Sequence, residues 1–420
     1  MKFFIETLGC KVNTYESEVM KSNMLDNGFI EAKDISLADI IIINTCSVTN
    51  QSDAKSRKVI RTAKRSAPNS IVVVCGCSAQ NNKEKLLKLD VDILIGNKDK
   101  SKVVKYIKDY LETYQKQVKF YDLKNEVFED MTISNYENRT RAFVKIQDGC
   151  NNYCSYCIIP YLRGNIRNKD YYVAISEIKA LVDNGFKEIV LTGIHTGSYP
   201  NLVNLIKEIS KFEKLERIRI SSIEITELND GFLEELKNNN KICDHLHIPI
   251  QSGSDNVLKM MNRKYDIKYF KSIISKIREI RPNINITTDL IVGFPTETKE
   301  DFSETIKNIN EINFGKIHVF PYSKRDGTLA ATFKNIVKDS DKKDRTNIML
   351  DLSNKLEKEY YEKFINKKLS VIIEEVDGDL SVGHTSNYIK VYINKALEKN
   401  KTYDIIISNI NDGKVNAKLV

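Results

Sequence analysis

The sequence predicts an α/β protein in three parts. These are a doubly wound parallel-sheet domain, a partial (β/α)6 barrel, and a small OB-like closed β-barrel at the C-terminal end. Three observations predict it. Apolar runs such as Asp39-Ile-Ile-Ile-Ile-Asn and Ile71-Val-Val-Val alternate with helical stretches through the first hundred residues, as in a parallel sheet covered on both faces. From Arg141 the alternation resumes on a larger scale. Beyond about residue 365 it gives way to short alternating strands joined by Asp, Gly and Asn turns.

In the first part, residues 3–8 read as a strand and 15–27 as a helix carrying Val19, Met20, Met24 and Leu25. Strands at 39–44, 71–74 and 91–96 follow, with a basic helix at 53–65 between the first two and a charged helix at 102–117 after the last. The acidic, weakly periodic stretch that ends at 138 reads as an interdomain linker. The second part offers strands at 142–146, 188–192, 217–221, 245–250, 285–292 and 316–320, with amphipathic helices such as 172–184, 269–279 and 299–312 between them. A long helix at 339–365 leads to strands at 369–375, 380–385, 388–393, 402–408 and 414–419. The expected domains are 1–112, a linker at 113–138, 139–365 and 366–420.

Composition narrows the class. Of 420 residues, 41% are hydrophobic and 29% charged, ordinary for a globular protein. No apolar run approaches 18 residues, so no membrane helix is expected. The start lacks a signal-peptide cleavage site. Eight cysteines in a chain this long suit a reducing cytoplasm better than a disulfide scaffold. A net charge of +8 is compatible with a polyanionic partner.

The cysteines carry the chemistry. Cys150, Cys154 and Cys157 stand in Asp148-Gly-Cys-Asn-Asn-Tyr-Cys-Ser-Tyr-Cys, offering three thiolates on one loop without a fourth. Three thiolates can hold a [4Fe-4S] cluster and leave one iron open, whereas four-cysteine sites mainly pass electrons. The alternative is zinc, which prefers paired Cys-x2-4-Cys units and four ligands. Cys10, Cys46 and Cys77 each follow a strand of the first domain. Loops beyond the carboxyl ends of parallel strands converge on one edge, so these three are expected to form a second three-cysteine site. Cys75 reads as packing.

The loop around Tyr156 and the three cysteines resembles that of the radical S-adenosylmethionine enzymes. Beyond it, Thr7-Leu-Gly-Cys-Lys-Val-Asn, Asn44-Thr-Cys-Ser-Val-Thr, Gly76-Cys-Ser-Ala-Gln and His245-Leu-His-Ile-Pro-Ile-Gln-Ser-Gly-Ser resemble the methylthiotransferase family along nearly the whole chain. The resemblance implies a TRAM domain at the C-terminal end and two [4Fe-4S] clusters. One, on Cys150, Cys154 and Cys157, would cleave S-adenosylmethionine to a 5'-deoxyadenosyl radical. The other, on Cys10, Cys46 and Cys77, would deliver sulfur, and a second S-adenosylmethionine would supply the methyl group. The reactivity lies in the cofactors, so no catalytic side chain is expected. Tyr156, Thr192, Gly193, Gln251, Ser252, Gly293, Glu297 and Tyr322 are the implied S-adenosylmethionine contacts.

Within the family the chain most resembles the branch that methylthiolates C2 of N6-threonylcarbamoyladenosine at position 37 of tRNA. Sister branches act on isopentenyladenosine in tRNA or on a ribosomal-protein aspartate, and a non-catalytic iron–sulfur RNA-binding sensor is the reading of a different class. The expected partners are a tRNA anticodon stem-loop and an electron donor such as flavodoxin or ferredoxin. For RNA contact the sequence offers the helix at 53–65, with six basic residues to one acid, among them Lys58, Arg61 and Lys64. Tyr388 and Tyr392 are expected as exposed aromatics on the C-terminal barrel. His245 and His247, on one strand face with Cys243, read as satisfied barrel-interior residues rather than a third metal site. His195 and His384 read as loop residues.

Overall fold

The computed structural model describes residues 1–136 and 139–420. Six strands form the first sheet: β1 Lys2–Thr7, β2 Ile30–Glu31, β3 Ile40–Thr45, β4 Ile71–Gly76, β5 Ile93–Ile95 and β6 Gln117–Lys119, in the order β2-β1-β3-β4-β5-β6. All pairings in it are parallel. Every residue of β3 and β4 is buried, which explains their unbroken apolar runs: helices cover both faces. The helix α1, Lys11–Asp26, follows β1, and α2, Asn50–Ser66, follows β3.

The segment expected to link the domains is more ordered than its composition suggests. Its residues 117–119 form β6, which covers the otherwise unpaired edge of β5. Farther on, Met131, Ile133 and Tyr136 are buried in the core of the second domain. The end of that segment, residues 137 and 138, lies outside the described residues.

The second domain is an open arc of parallel strands. β7 Arg141–Lys145 is followed by a small antiparallel pair, β8 Gln147–Asp148 with β9 Arg167–Asn168. β10 Glu188–Thr192 and β11 Arg217–Ile220 complete one run with β7, while β12 His245–His247, β13 Asn285–Val292 and β14 Lys316–Pro321 form the next. The runs meet through an isolated bridge between Ile218 and Ile242. β12 is shorter than the expected 245–250, because Pro249 has no N–H to donate. Pairing returns only as a single bridge between Gln251 and Leu290.

The helix Asp339–Glu362 then leads to five strands, β15 Lys368–Asp377, β16 Leu380–Thr385, β17 Lys390–Asn394, β18 Thr402–Asn411 and β19 Lys414–Leu419, which close as β15-β16-β17-β19-β18. This barrel sits on the arc through polar contacts. Arg217 donates to the carbonyls of His384 and Ser370, each at 2.8 Å, and Arg141 pairs with Glu374 at 3.1 Å. No helix among the described residues is long and apolar enough to cross a membrane.

Candidate functional site

The first cysteine trio lies on a loop whose backbone is anchored along its length. Gly149 has φ +74°, and a Cβ there would collide with the carbonyl of Asn165, so only glycine admits this turn. Cys150 N donates to Gly164 O at 3.1 Å, Ser155 N to Met261 O at 3.0 Å, and Cys157 N to Cys154 O at 2.9 Å. Two cations face the sulfurs. Arg263 donates to Cys154 Sγ at 3.3 Å and pairs with Glu224. His195 lies between Cys150 and Glu227, 2.5 Å from the carboxylate. Burial works against the charge of His195, but the bonds to Cys150 and Glu227 raise it to about 10. Burial also pushes the Cys157 thiol up to about 12, with Cys154 adding to it.

The second trio gathers as the sheet topology requires. Gly9, at φ +107°, packs so closely on Cys46 that a Cβ would stand 2.8 Å from Cys46 Cβ and 3.0 Å from its sulfur. Cys10 is the residue before α1, Cys46 follows β3, and Cys77 opens the short helix Cys77–Asn81. Burial raises the Cys46 thiol, and the proximity of Cys77 and Cys10 raises it further. Asn97 donates to Cys77 Sγ at 3.5 Å. Cys75 instead packs within the sheet core beside Ile42 and Ile93, fully buried and pushed up to about 12 by that burial. It is a packing residue, as its place in the strand suggests.

Among the described residues, no three His, Cys, Asp or Glu side chains close around a single metal ion. Each trio offers three thiols, a donor set that a cluster with one open iron could use, whereas zinc sites favour four ligands.

Buried charges tie the two trios together. Arg163, six residues beyond Cys157, is fully buried and donates to Glu16 and Asp148 at 3.0 Å and to Asn13 Oδ1 at 2.8 Å. Lys145 lies 2.8 Å from Glu16 and 2.6 Å from Asp148, and Lys100 also reaches Glu16. Asn13 in turn donates to Leu8 O at 2.7 Å and Thr45 O at 3.0 Å, next to Cys10 and Cys46. Burial opposes the ionised form of Glu16, yet Arg163, Lys100 and Lys145 hold its carboxyl well below the usual range.

One cleft of about 680 Å3 opens between all three domains. Of the residues expected at the site, Cys10, Thr192 and Gly193 line it. The others lie apart. Tyr156 and Tyr322 pack around Phe294, Val257 and Met261. Gln251 has φ +65°, and Ser252 is fully buried beside it. Glu297 accepts from Gly293 N at 2.6 Å and pairs with Arg345 at 2.5 Å, bracing the loop after β13. Glu297 Oε1 and Tyr322 Oη are buried without a hydrogen-bond partner, leaving polar atoms for a bound molecule.

Two sequence expectations about the aromatic and histidine residues change. Tyr388 is not on a free face of the C-terminal barrel: its ring is stacked between His245 and His384, at 4.8 Å from each, with Arg219 4.6 Å from its centroid. His384 is not a loop residue but lies in β16, bonded to Glu374 at 3.0 Å. His195 is in a loop, yet its ring serves the first trio. His245 Nε2 and His247 Nδ1 both bond Thr287 Oγ1, at 3.0 and 2.9 Å. Arg163, His195 and Arg263 were invisible in the sequence, because their partners lie far away along the chain. On α2, Lys58 and Arg61 are exposed, whereas Lys64 is paired with Asp92 at 2.9 Å.

Comparison with known proteins agrees with this architecture. The Radical SAM superfamily matches residues 144–309, and the Uncharacterized protein family UPF0004 matches residues 2–96. The threonylcarbamoyladenosine tRNA methylthiotransferase MtaB of Bacillus subtilis is 43% identical over 399 residues, 92% of this chain and 88% of that protein. Its namesake in Aquifex aeolicus is 38% identical over 93% of this chain and 96% of its own. The tRNA-2-methylthio-N(6)-dimethylallyladenosine synthase of Clostridium tetani is 35% identical over 89% and 85%. Among solved structures, the radical S-adenosylmethionine methyltransferase TsrM from Kitasatospora setae aligns with a TM-score of 0.57 over 76% of this chain and 74% of its own. At 12% identity that likeness is one of fold.

Proposed function

The chain belongs to the radical S-adenosylmethionine methylthiotransferases that act on tRNA, and from that premise we propose that it modifies C2 of N6-threonylcarbamoyladenosine at position 37. The observation that carries the reading is the shared cleft. Cys10 of one trio, Thr192 and Gly193 at the end of β10, and Tyr388 of the C-terminal barrel all border the same space. A base entering it would meet Cys10 of one trio and, at Thr192 and Gly193, a strand end proposed to contact S-adenosylmethionine.

Cys150, Cys154 and Cys157 would hold one [4Fe-4S] cluster and Cys10, Cys46 and Cys77 a second. When bound, these clusters and S-adenosylmethionine supply the one-electron and sulfur chemistry that breaking an unactivated C–H bond needs and that side chains lack. The chain's own residues position and shield. His195 faces Cys150 and Arg263 donates to Cys154 Sγ, so both fix the loop that carries the trio. Gln147 packs against Gly193 and accepts from His195 N at 2.7 Å, fixing the strand end that borders the cleft. Thr192, Gly193, Gln251, Ser252, Gly293, Glu297 and Tyr322, with Tyr156, are the proposed S-adenosylmethionine contacts. An electron donor such as flavodoxin or ferredoxin and a cytoplasmic location complete the proposal.

Nucleoside analysis of tRNA from a deletion strain tests the substrate. The methylthiolated threonylcarbamoyl nucleoside should vanish and its unmethylthiolated precursor accumulate; loss of the dimethylallyl derivative instead would transfer the chain to the sister branch. Anaerobic reconstitution should load about eight irons per chain, and about four would remove the second cluster.

A further inference from the structure

Lys11 follows Cys10 at the start of α1 and lines the cleft, half-buried. Its ammonium has no hydrogen bond or ion pair among the described residues. The charges facing it are already matched. Glu188 is taken by Arg219 at 2.6 Å and by Arg217 at 3.6 Å, and Glu374 by Arg141 at 3.1 Å and His384 at 3.0 Å. Of the other lysines on the cleft, Lys316 pairs with Glu357 at 2.8 Å, and Lys390 is exposed over the Tyr392 ring. Asp289 lies 3.3 Å from His247. Lys11 is thus the half-buried cation of this cleft without a counter-charge.

An ammonium partly removed from water and left unpaired is costly, so such a site favours an incoming anion. Two anions arrive with a tRNA: a backbone phosphate, or a carboxylate carried on the modified base. The surroundings favour the second. The cleft has room for a base and is bordered by the imidazoles of His247 and His318, a lining suited to a flat heterocycle rather than to a strand of phosphates. We propose that Lys11 is the subsite for the carboxylate of the threonylcarbamoyl arm, and so a specificity-determining residue. This rests on the substrate reading above. A neutral isopentenyl arm would leave the ammonium desolvated and unmatched, a penalty that discriminates more strongly than a lost apolar contact.

The test is a double cycle on the reconstituted full-length protein, read as binding affinity at one fixed salt concentration. Wild type, Lys11→Met and Lys11→Arg, matched for iron content, would each be titrated with three anticodon stem-loops. These carry threonylcarbamoyladenosine, its methyl ester, or unmodified adenosine. Wild type should bind the acid at least about 10-fold more tightly than the ester. Lys11→Met should bind acid and ester alike, and Lys11→Arg should keep the preference. A Lys11→Met variant that retains the full acid-over-ester preference would overturn the assignment and leave the substrate reading standing. So would an equal loss for all three stem-loops, which marks a phosphate contact. If wild type itself prefers the acid over neither the ester nor unmodified adenosine, the substrate reading falls as well. The ester comparison on wild type needs no variant, so a damaged fold cannot mask the result.

Discussion

At the level of single residues, the site depends on charges that have no solvent to lean on. Arg163 is buried among Glu16, Asp148 and Asn13, which belong to two domains. Replacing it with Met removes one partner and leaves two buried carboxylates with fewer cations. Breaking a buried ion pair in this way costs about 3–5 kcal/mol, and the urea midpoint of the apo protein should fall accordingly with an unchanged slope. Glu188 gives a pH counterpart. Burial pushes its carboxyl up, but Arg219, Arg217 and Arg141 outweigh burial and hold it at about 2, against 4.5 in a free chain. A carboxyl held low in the fold stabilises the fold above its free-chain value, and that contribution is lost as pH falls from about 4.5 towards 2. Apo protein should therefore lose stability across that window, and Glu188→Gln should flatten this part of the curve. An unchanged slope in the variant would show that other carboxyls dominate.

At the level of elements, α2 is where structure sharpens a sequence expectation. Its basic run faces outward, but the pairing of Lys64 with Asp92 takes one charge out of play. Lys58 and Arg61 remain exposed beside Arg65. The double substitution Lys58→Ala with Arg61→Ala should weaken tRNA binding and make its logarithmic salt dependence shallower by about 1 to 2. Lys64→Ala alone should change that slope little, and a full-sized effect from it would contradict the pairing. The same element shows what the sequence exposes. Apolar runs such as 40–43 and 71–75 reveal β3 and β4 because both sheet faces are covered, and the turn-separated alternation reveals the terminal barrel. β6 escapes notice because Gln117–Lys119 is a polar edge strand held by backbone pairing alone. The three convergent cysteines are legible because topology, not side-chain chemistry, brings them together. Tyr388 and His384 are misread because the barrel turns that face onto a neighbouring domain, a contact no local pattern encodes.

At the level of the whole molecule, the cleft exists only while three domains hold their mutual placement, and buried polar contacts set it. Arg325, in the loop after β14, donates to Asp53 Oδ2 and Asn50 Oδ1 at 2.7 Å and to Ser47 Oγ at 2.9 Å. These contacts grip the start of α2 and the residue after Cys46. Glu16 and Arg163 make the second link between the same two domains, 147 residues apart in sequence. Domains joined only by a linker unfold separately, whereas domains that share buried ion pairs tend to unfold together, because separating them would leave charges buried without partners at a cost of about 3–5 kcal/mol. The apo protein should accordingly show the first two domains melting in one calorimetric transition. Arg325→Met combined with Glu16→Gln should split it, with the first domain melting at the lower temperature. Wild-type protein that already melts in two transitions would contradict this coupling. The double variant should also loosen the placement of the two cysteine-bearing domains around the cleft, so it should lose tRNA binding there while each trio still loads iron.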